Sequence, residues 1–402
     1  MTILFDLSAA QPIIGSDFHG AAEYAKTVFY KLFETLSETT NLEIFYNPEK
    51  NIDNDLVNKC QNNNVPINLC KTNSEISALL IKKQYDLFFT ALPYSYYNLN
   101  IPKNTKFVYT VHGLRSTEYP WDDYILKYKK QNFRTHVKYV VSLFLFHWWI
   151  EYLKRKSTKN FNLLFNRTKN QTIITVSCHS KYSINYFSPH IAVSAIETLY
   201  SPPKLIQSPQ DEGTSTLKDF SLEPGKYILL IGGDREEKGA YRACRALVKL
   251  FSQEKHSVLS DVKVLILGVS YEKAYRKLIK NSSHFVLAAY VPSQTLEMLY
   301  KYSLLFIYPT MNEGFGYPPL EAMKYGTLCA CSANSSITEI CADSVLYFNP
   351  HNEDEISIRV LQSFDSEIRK EKTEKMKARL EQVRLRQERD LDRLAKIISG
   401  NP

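Results

Sequence analysis

The sequence predicts an α/β fold made of two parallel-sheet domains. Short apolar, β-rich runs alternate along most of the chain with polar loops and helical stripes, as repeated strand-helix units require. At 402 residues the chain exceeds one ordinary core and predicts about two domains. A stretch rich in Pro and Ser, with Gly213-Thr214-Ser215-Thr216 inside it, lies between 200 and 225 and reads as the boundary. The expected division is 1–203, a linker over 204–226, a second domain over 227–365, and a charged helix over 366–402.

In the first half, strand 3–7 is followed by the loop Gly15-Ser16-Asp17-Phe18-His19-Gly20. A helix with apolar residues at Ala25, Val28, Phe29, Leu32, Phe33 and Leu36 comes next. Runs 42–46 and 85–90 read as further strands, separated by a polar, Asn-rich stretch over 47–64. Run 107–111 ends in His112-Gly113. A His at the carboxyl end of a parallel strand is a functional candidate, because ligands bind beyond that edge. The alternative is a His hydrogen-bonded inside the domain. Run 172–176 leads into Ser177-Cys178-His179-Ser180, where His179 reads as structural.

Between 127 and 169 the composition changes. Lys127, Lys129, Lys130, Arg134 and Lys138 precede the apolar run 140–150, and Lys154, Arg155, Lys156 and Lys159 follow it. A bilayer span needs roughly 20 apolar residues, and this run is shorter and is broken by His147 and Glu151. Two readings stay open: a helix lying in the interface of an anionic membrane, or a core helix with solvated ends. No nucleic-acid module accompanies the bases, so no nucleic-acid partner is expected.

The second half opens with strand 227–231 and the loop Gly232-Gly233-Asp234-Arg235-Glu236-Glu237-Lys238-Gly239. Arg242 and Arg245 are expected to decorate the helix after it. Strands 264–268 and 285–287 follow, then helix 293–302. Run 304–308 reads as a buried strand, 310–317 as a loop, and Pro318-Pro319 as the start of a helix that stops at Gly326. In the tail, Met376, Leu380, Val383, Leu391, Leu394 and Ile398 form a helical stripe that either returns to the first domain or pairs with another chain.

Composition narrows the class. Hydrophobic content of 44%, with 27 Tyr and 21 Phe, excludes wholesale disorder. Seven scattered cysteines form no secreted framework and point to a reducing cytosol. Cys329 and Cys331 alternate as on a strand and lack the neighbours of a metal site. The N-terminus lacks the basic start and sustained apolar core of a signal peptide, so the sequons at Asn166 and Asn170 carry little meaning. A cytoplasmic protein is expected, peripheral on the cytoplasmic face of a membrane if 127–169 lies in the interface.

The chemistry concentrates on 310–321. Glu313 on the loop and Glu321 in the first turn of the helix after it should face one crevice, while Gly314 and Gly316 let a ligand approach the backbone. Free N–H groups at a helix start suit phosphate, but two carboxylates suit neutral hydroxyl pairs. A sugar and a ribose joined by a diphosphate meet both demands. Lys238 supplies the cation that the two carboxylates make necessary.

From Glu313-Gly314-Phe315-Gly316 to Glu321, and on through Ser335-Ser336-Ile337-Thr338-Glu339 to Asn349-Pro350, the sequence resembles the family 4 glycosyltransferases. These are retaining enzymes of the GT-B fold: α/β, two Rossmann-like domains with parallel sheets facing a deep cleft. The resemblance implies roles. Glu313, His112 and Lys238 would be catalytic. Gly20, Gly232, Arg235, Val291, Gly314, Phe315, Gly316 and Glu321 would bind the donor. Asp53-Asn54-Asp55 is similar to the Asp-x-Asp metal motif of another glycosyltransferase class but lacks a buried strand before it, so no metal is expected. No cofactor is implied, since the UDP- or GDP-linked sugar is a substrate. The expected reaction moves a hexosyl group to a hydroxyl of a growing surface glycan or lipid-linked acceptor, as in polysaccharide or lipopolysaccharide biosynthesis. The second reading is an inactive nucleotide-sugar-binding subunit of a membrane-associated assembly, which the missing second glycine of the first loop and the shifted Arg235 would fit.

Overall fold

β-branched and aromatic runs bounded by polar turns become strands throughout. A computed structural model describes residues 1–12, 20–37, 39–128, 133–204, 215–253, 257–280 and 282–400, and every count below is of those residues. The loop residues 13–19 and the linker residues 205–214 lie outside them. Contacts divide the chain into unit 1, Met1–Thr117, Lys154–Ile206 and Arg384–Pro402, and unit 2, Glu118–Leu153 and Gln207–Val383.

Unit 1 is built on β1 (Thr2–Asp6), β2 (Asn41–Tyr46), β3 (Ile67–Leu69), β4 (Leu87–Thr90), β5 (Lys106–Val111), β6 (Gln171–Thr175) and β7 (Ile196–Thr198). All pairs are parallel and the spatial order is β3-β2-β1-β4-β5-β6-β7. The order reverses between β1 and β4, where Asp6 lies beside Thr90. Helix Gly20–Thr35 buries Ala25, Val28, Phe29 and Leu32 against the sheet, with Phe29 edge-on to Phe5 at 5.5 Å. Val28, Phe29 and Leu32 each stabilise the fold by about 1.5–3 kcal/mol. Asp53 caps helix Asn54–Asn62 and pairs with Lys26 at 2.9 Å.

Unit 2 repeats the plan with β8 (Tyr227–Leu230), β9 (Lys263–Leu267), β10 (Phe285–Ala288), β11 (Leu305–Tyr308), β12 (Cys329–Ser332) and β13 (Leu346–Phe348). Its parallel order is β10-β9-β8-β11-β12-β13, reversing between β8 and β11. Cys329 and Cys331 are buried on β12, and the seven cysteines are all free.

The expected first domain, 1–203, loses one stretch to unit 2, and the tail divides between the units. Glu118–Leu153 groups with unit 2, because Asp122 and Tyr124 are anchored on the helix Ala240–Phe251 of that unit. The tail forms helix Ser366–Ser399, whose end from Arg384 groups with unit 1. There Asp390 accepts from Tyr200 N at 2.9 Å and Gln387 donates to Ser201 O at 2.6 Å. Met376, Val383, Leu394 and Ile398 of the tail stripe are buried.

Candidate active site

The site lies in unit 2, beyond the carboxyl ends of β8 and β11, the two strands between which the order reverses. After β8 the chain passes Gly232, makes a short turn at Glu236–Lys238, and enters helix Ala240–Phe251 through Gly239. Gly239 has φ +68, and a Cβ there would sit 2.1 Å from the carbonyl oxygen of Pro309. Only glycine permits that approach, which brings the β8 loop onto the end of β11. Two hydrogen bonds fasten the loops together: Met311 N and Thr310 Oγ1 both donate to Glu237 O, at 2.7 and 3.0 Å. Gly232, at φ +75, leaves room for the Lys238 stem, which a Cβ would meet at 2.8 Å.

Lys238 is thereby aimed at Glu313. Its Nζ donates to Glu313 Oε1 and, at 2.6 Å, to Tyr308 Oη. Tyr308 Oη donates onward to Glu313 Oε1 at 2.6 Å, and Thr310 Oγ1 reaches the same oxygen at 3.2 Å. Lys238 and Tyr308 therefore both donate to Oε1, with the Thr310 hydroxyl, whose one proton also serves Glu237 O, beside it, and none of these bonds uses Oε2. Burial acts to raise the Glu313 pKa, but the Lys238 ammonium and the bonds from Lys238 and Tyr308 outweigh it and hold the carboxyl below its ordinary value. Burial is also the largest influence on Lys238, pulling its ammonium below the ordinary lysine value while Glu313 opposes it.

The loop behind Glu313 is held by hydroxyls. Ser335 Oγ accepts from Glu313 N at 2.8 Å, while Ser336 Oγ donates to Glu313 O at 3.0 Å and to Phe315 O at 2.8 Å. Ser332 Oγ donates to Thr310 O at 2.6 Å. Gly316 caps helix Tyr317–Lys324, and Phe315 is buried edge-on against Tyr317 at 5.2 Å. Glu321 falls in the second turn of that helix, beside Tyr300 Oη at 3.5 Å.

The remaining predicted residues are placed as follows. Arg235 is tied to Glu237, its Nε donating at 2.8 Å. Val291 sits in the loop between β10 and helix Ser293–Lys301. Gly232, Arg235, Lys238, Val291, Gly314, Phe315, Gly316, Glu313 and Glu321 all belong to unit 2, and Gly20 and His112 to unit 1. Gly20 opens helix Gly20–Thr35. His112 follows β5, its Nε2 is 2.9 Å from Ala91 O, and its ring meets Tyr24 edge-on at 4.8 Å. Against a carbonyl oxygen Nε2 must carry the proton. Among the described residues no group of three or more His, Cys, Asp or Glu is placed to hold a metal ion.

A strap at 118–128 braces this site and was not visible as such in the sequence. Asn312, next to Glu313, donates through Nδ2 to Glu118 Oε2. Four residues on, Asp122 forms a buried ion pair with Arg242 at 3.2 Å. The Tyr124 ring lies 4.5 Å from the Arg242 guanidinium and 5.2 Å from that of Arg245. Arg242 therefore does not decorate the helix surface: it is buried four residues before Ala246 and eight before Leu250, on the same face. A base on an apolar stripe was the available signal, since a buried guanidinium requires an acid partner.

Residues 216–382 match the family model described as glycosyl transferases group 1. The O-antigen chain mannosyltransferase B of Escherichia coli is 41% identical over 78 residues, 19% of this chain and 20% of that protein. A serotype-specific mannosyltransferase WbdA of Escherichia coli is 35% identical over 150 residues, 36% of this chain and 18% of that protein. The matched stretches thus span about a fifth of those relatives' length. Among solved structures, Anabaena HepE in complex with UDP-glucose aligns over 100% of both chains with a TM-score of 0.65 and 13% identity. WaaG, a glycosyltransferase involved in lipopolysaccharide biosynthesis, aligns over 99% of this chain and 100% of its own, with a TM-score of 0.62 and 14% identity. At those identities the likeness establishes the fold, which is GT-B.

Proposed function

From the premise of a GT-B chain that carries the glycosyl transferases group 1 region over 216–382, we propose a retaining, metal-independent hexosyltransferase. It would use a UDP- or GDP-sugar as donor and a hydroxyl of a surface glycan or lipid-linked glycan as acceptor. The names of the O-antigen mannosyltransferase relatives make mannose the first sugar to test. The observation that carries the reading is the pairing of Lys238 with one oxygen of Glu313 at the point where the strand order reverses, leaving the other oxygen outside those bonds.

In this reading Glu313 Oε2 accepts hydrogen bonds from the donor sugar's hydroxyls, and Lys238 turns from Oε1 toward the diphosphate. Tyr308 stays on Oε1 with Thr310 Oγ1 beside it, so the carboxylate keeps a hydroxyl donor when the ammonium leaves. The bond from the anomeric carbon to the diphosphate oxygen breaks, the acceptor oxygen bonds to the same face, and its proton passes to the departing diphosphate. Lys238, with the amides of Gly314 to Gly316, stabilises the charge that grows there, and no divalent ion is needed for it. Glu321 holds the ribose, Val291 lies beside the base, and His112 orients the donor sugar.

Purified protein incubated with GDP-mannose, UDP-glucose and related donors should release nucleotide slowly, and Glu313→Ala should stop the release while the fold survives. Donor binding without turnover in the native protein would support the inactive-subunit reading instead. An undiminished rate in Glu313→Ala would count against both roles given to that residue.

A further inference from the structure

Helix Phe133–Phe165 carries a run of exposed apolar side chains over 133–148. Phe133 is 84% exposed, Phe144 82% and Trp148 80%, and Leu143, Leu145 and Phe146 are exposed with them. Isolated apolar residues are common on surfaces, but this many large side chains in one helical stretch mark an interaction site. The stretch departs from helical geometry at Leu145, so the arm before it runs 133–144. At 1.5 Å per residue that arm is about 18 Å long, well short of the roughly 30 Å hydrocarbon core. No helix among the described residues is long and apolar enough to cross a membrane.

The charges beside the apolar run narrow the choice of partner. Within 133–165 there are six bases, at 134, 138, 154, 155, 156 and 159, and one acid, Glu151. Arg134 and Lys138 are exposed on the same arm as Phe133 and Phe144. A second copy of the chain would set these bases against their own like charges unless an acidic surface lay opposite. A layer of anionic headgroups above hydrocarbon matches the apolar side chains and the bases together.

We propose that helix 133–153 docks flat into the anionic surface of a lipid bilayer, with Phe144 and Trp148 in the hydrocarbon boundary and Arg134 and Lys138 among the headgroups. The docking goes beyond the transfer reaction and does not depend on it. Through Glu118–Leu153 the docking helix belongs to the unit that holds Lys238 and Glu313.

Flotation of the full chain with vesicles tests this. With phosphatidylglycerol and phosphatidylcholine mixed, the protein should float; with phosphatidylcholine alone, or in high salt, binding should fall roughly fivefold for each base that contributes. The double variant Phe144→Ser with Trp148→Ser should lose at least about tenfold of the partition at unchanged Tm. Absence of flotation with anionic vesicles, or equal flotation of the double variant, overturns the proposal. So does a vesicle-free dimer that the double variant abolishes, since a second copy would then own the surface. Flotation without nucleotide release from any donor would leave the docking standing and remove the transferase reading, so the two failures are distinguishable.

Discussion

The two sheets reverse their strand order in the same way, yet the carboxylates placed at the two reversal points do different things. In unit 1, Asp6 ends β1. Its Oδ1 accepts from Ser8 N and Ser8 Oγ, and its Oδ2 accepts from Thr90 Oγ1 at 2.7 Å and Tyr96 Oη at 2.8 Å. Both oxygens are consumed by neutral donors. Burial outweighs these neutral donors and pushes the Asp6 carboxyl above its ordinary value. In unit 2, Glu313 has a lysine beside it, gathers its donors on one oxygen, and is held below its ordinary value. Topology alone places a polar group at this position; the cation and the uncommitted oxygen mark the one suited to a ligand.

The largest expected effect is on Glu313→Ala. Removing it takes away the acceptor proposed for the sugar's hydroxyls and the counter-charge of a buried lysine together, so nucleotide release should fall by about 10³-fold, on the scale of losing a preorganised electrostatic contact. If release survives, the contrast between the two carboxylates has no functional content. Asp122→Ala comes next. It strands the buried Arg242 and should lower stability by about 3 kcal/mol, measured as a fall in Tm and in the denaturation midpoint. A strap that contributes only surface contact would leave both unmoved.

Acid titration sharpens the comparison further, because the two signs are opposite. Asp6 has a folded pKa above its ordinary 3.8, so the stability it brings is fully present below 3.8 and is lost as pH rises through the folded value. Asp6→Asn should therefore gain on the native protein as pH rises. Glu313 has a folded pKa below its ordinary 4.5, so its contribution is present above 4.5 and is lost as pH falls through the folded value. Glu313→Gln should lose ground at neutral pH and recover it in acid. Denaturation midpoints across pH would read both, and parallel curves would erase the distinction. The smallest effect belongs to Glu321→Gln, which keeps a hydrogen-bonding side chain and should raise KM for the donor by under about tenfold with kcat held.

Much of this arrangement was legible from residues alone. The apolar run ending at Tyr308, the paired glycines after β8 and the Pro-Pro helix start each follow from local chemistry, so the strand-loop-helix units were visible. The edge strands β3 and β7 were not: each is three residues long, with Asn68 and Glu197 at their centres, and is specified by pairing to Phe45 and Ile174 rather than by its own sequence. Lys238 and Glu313 could be named as residues of one site, but not their mutual bond or the roles of Tyr308 and Thr310, which depend on Gly239 leaving Pro309 O the space that a Cβ would fill. The grouping of Glu118–Leu153 with unit 2 was hidden for the same reason. It rests on Asp122 and Arg242, residues 120 positions apart.

The bond between Lys238 and Glu313 has a consequence for everything else that carries phosphate in a cell. With Glu313 as its counter-ion the buried Lys238 ammonium is electrically quiet, and inorganic phosphate must pull the lysine away while giving the carboxylate nothing in return. A nucleotide that brings hydroxyls with it repairs both halves of what it disrupts. The resting ion pair would thus act as a filter, admitting anions by the company they keep rather than by their charge.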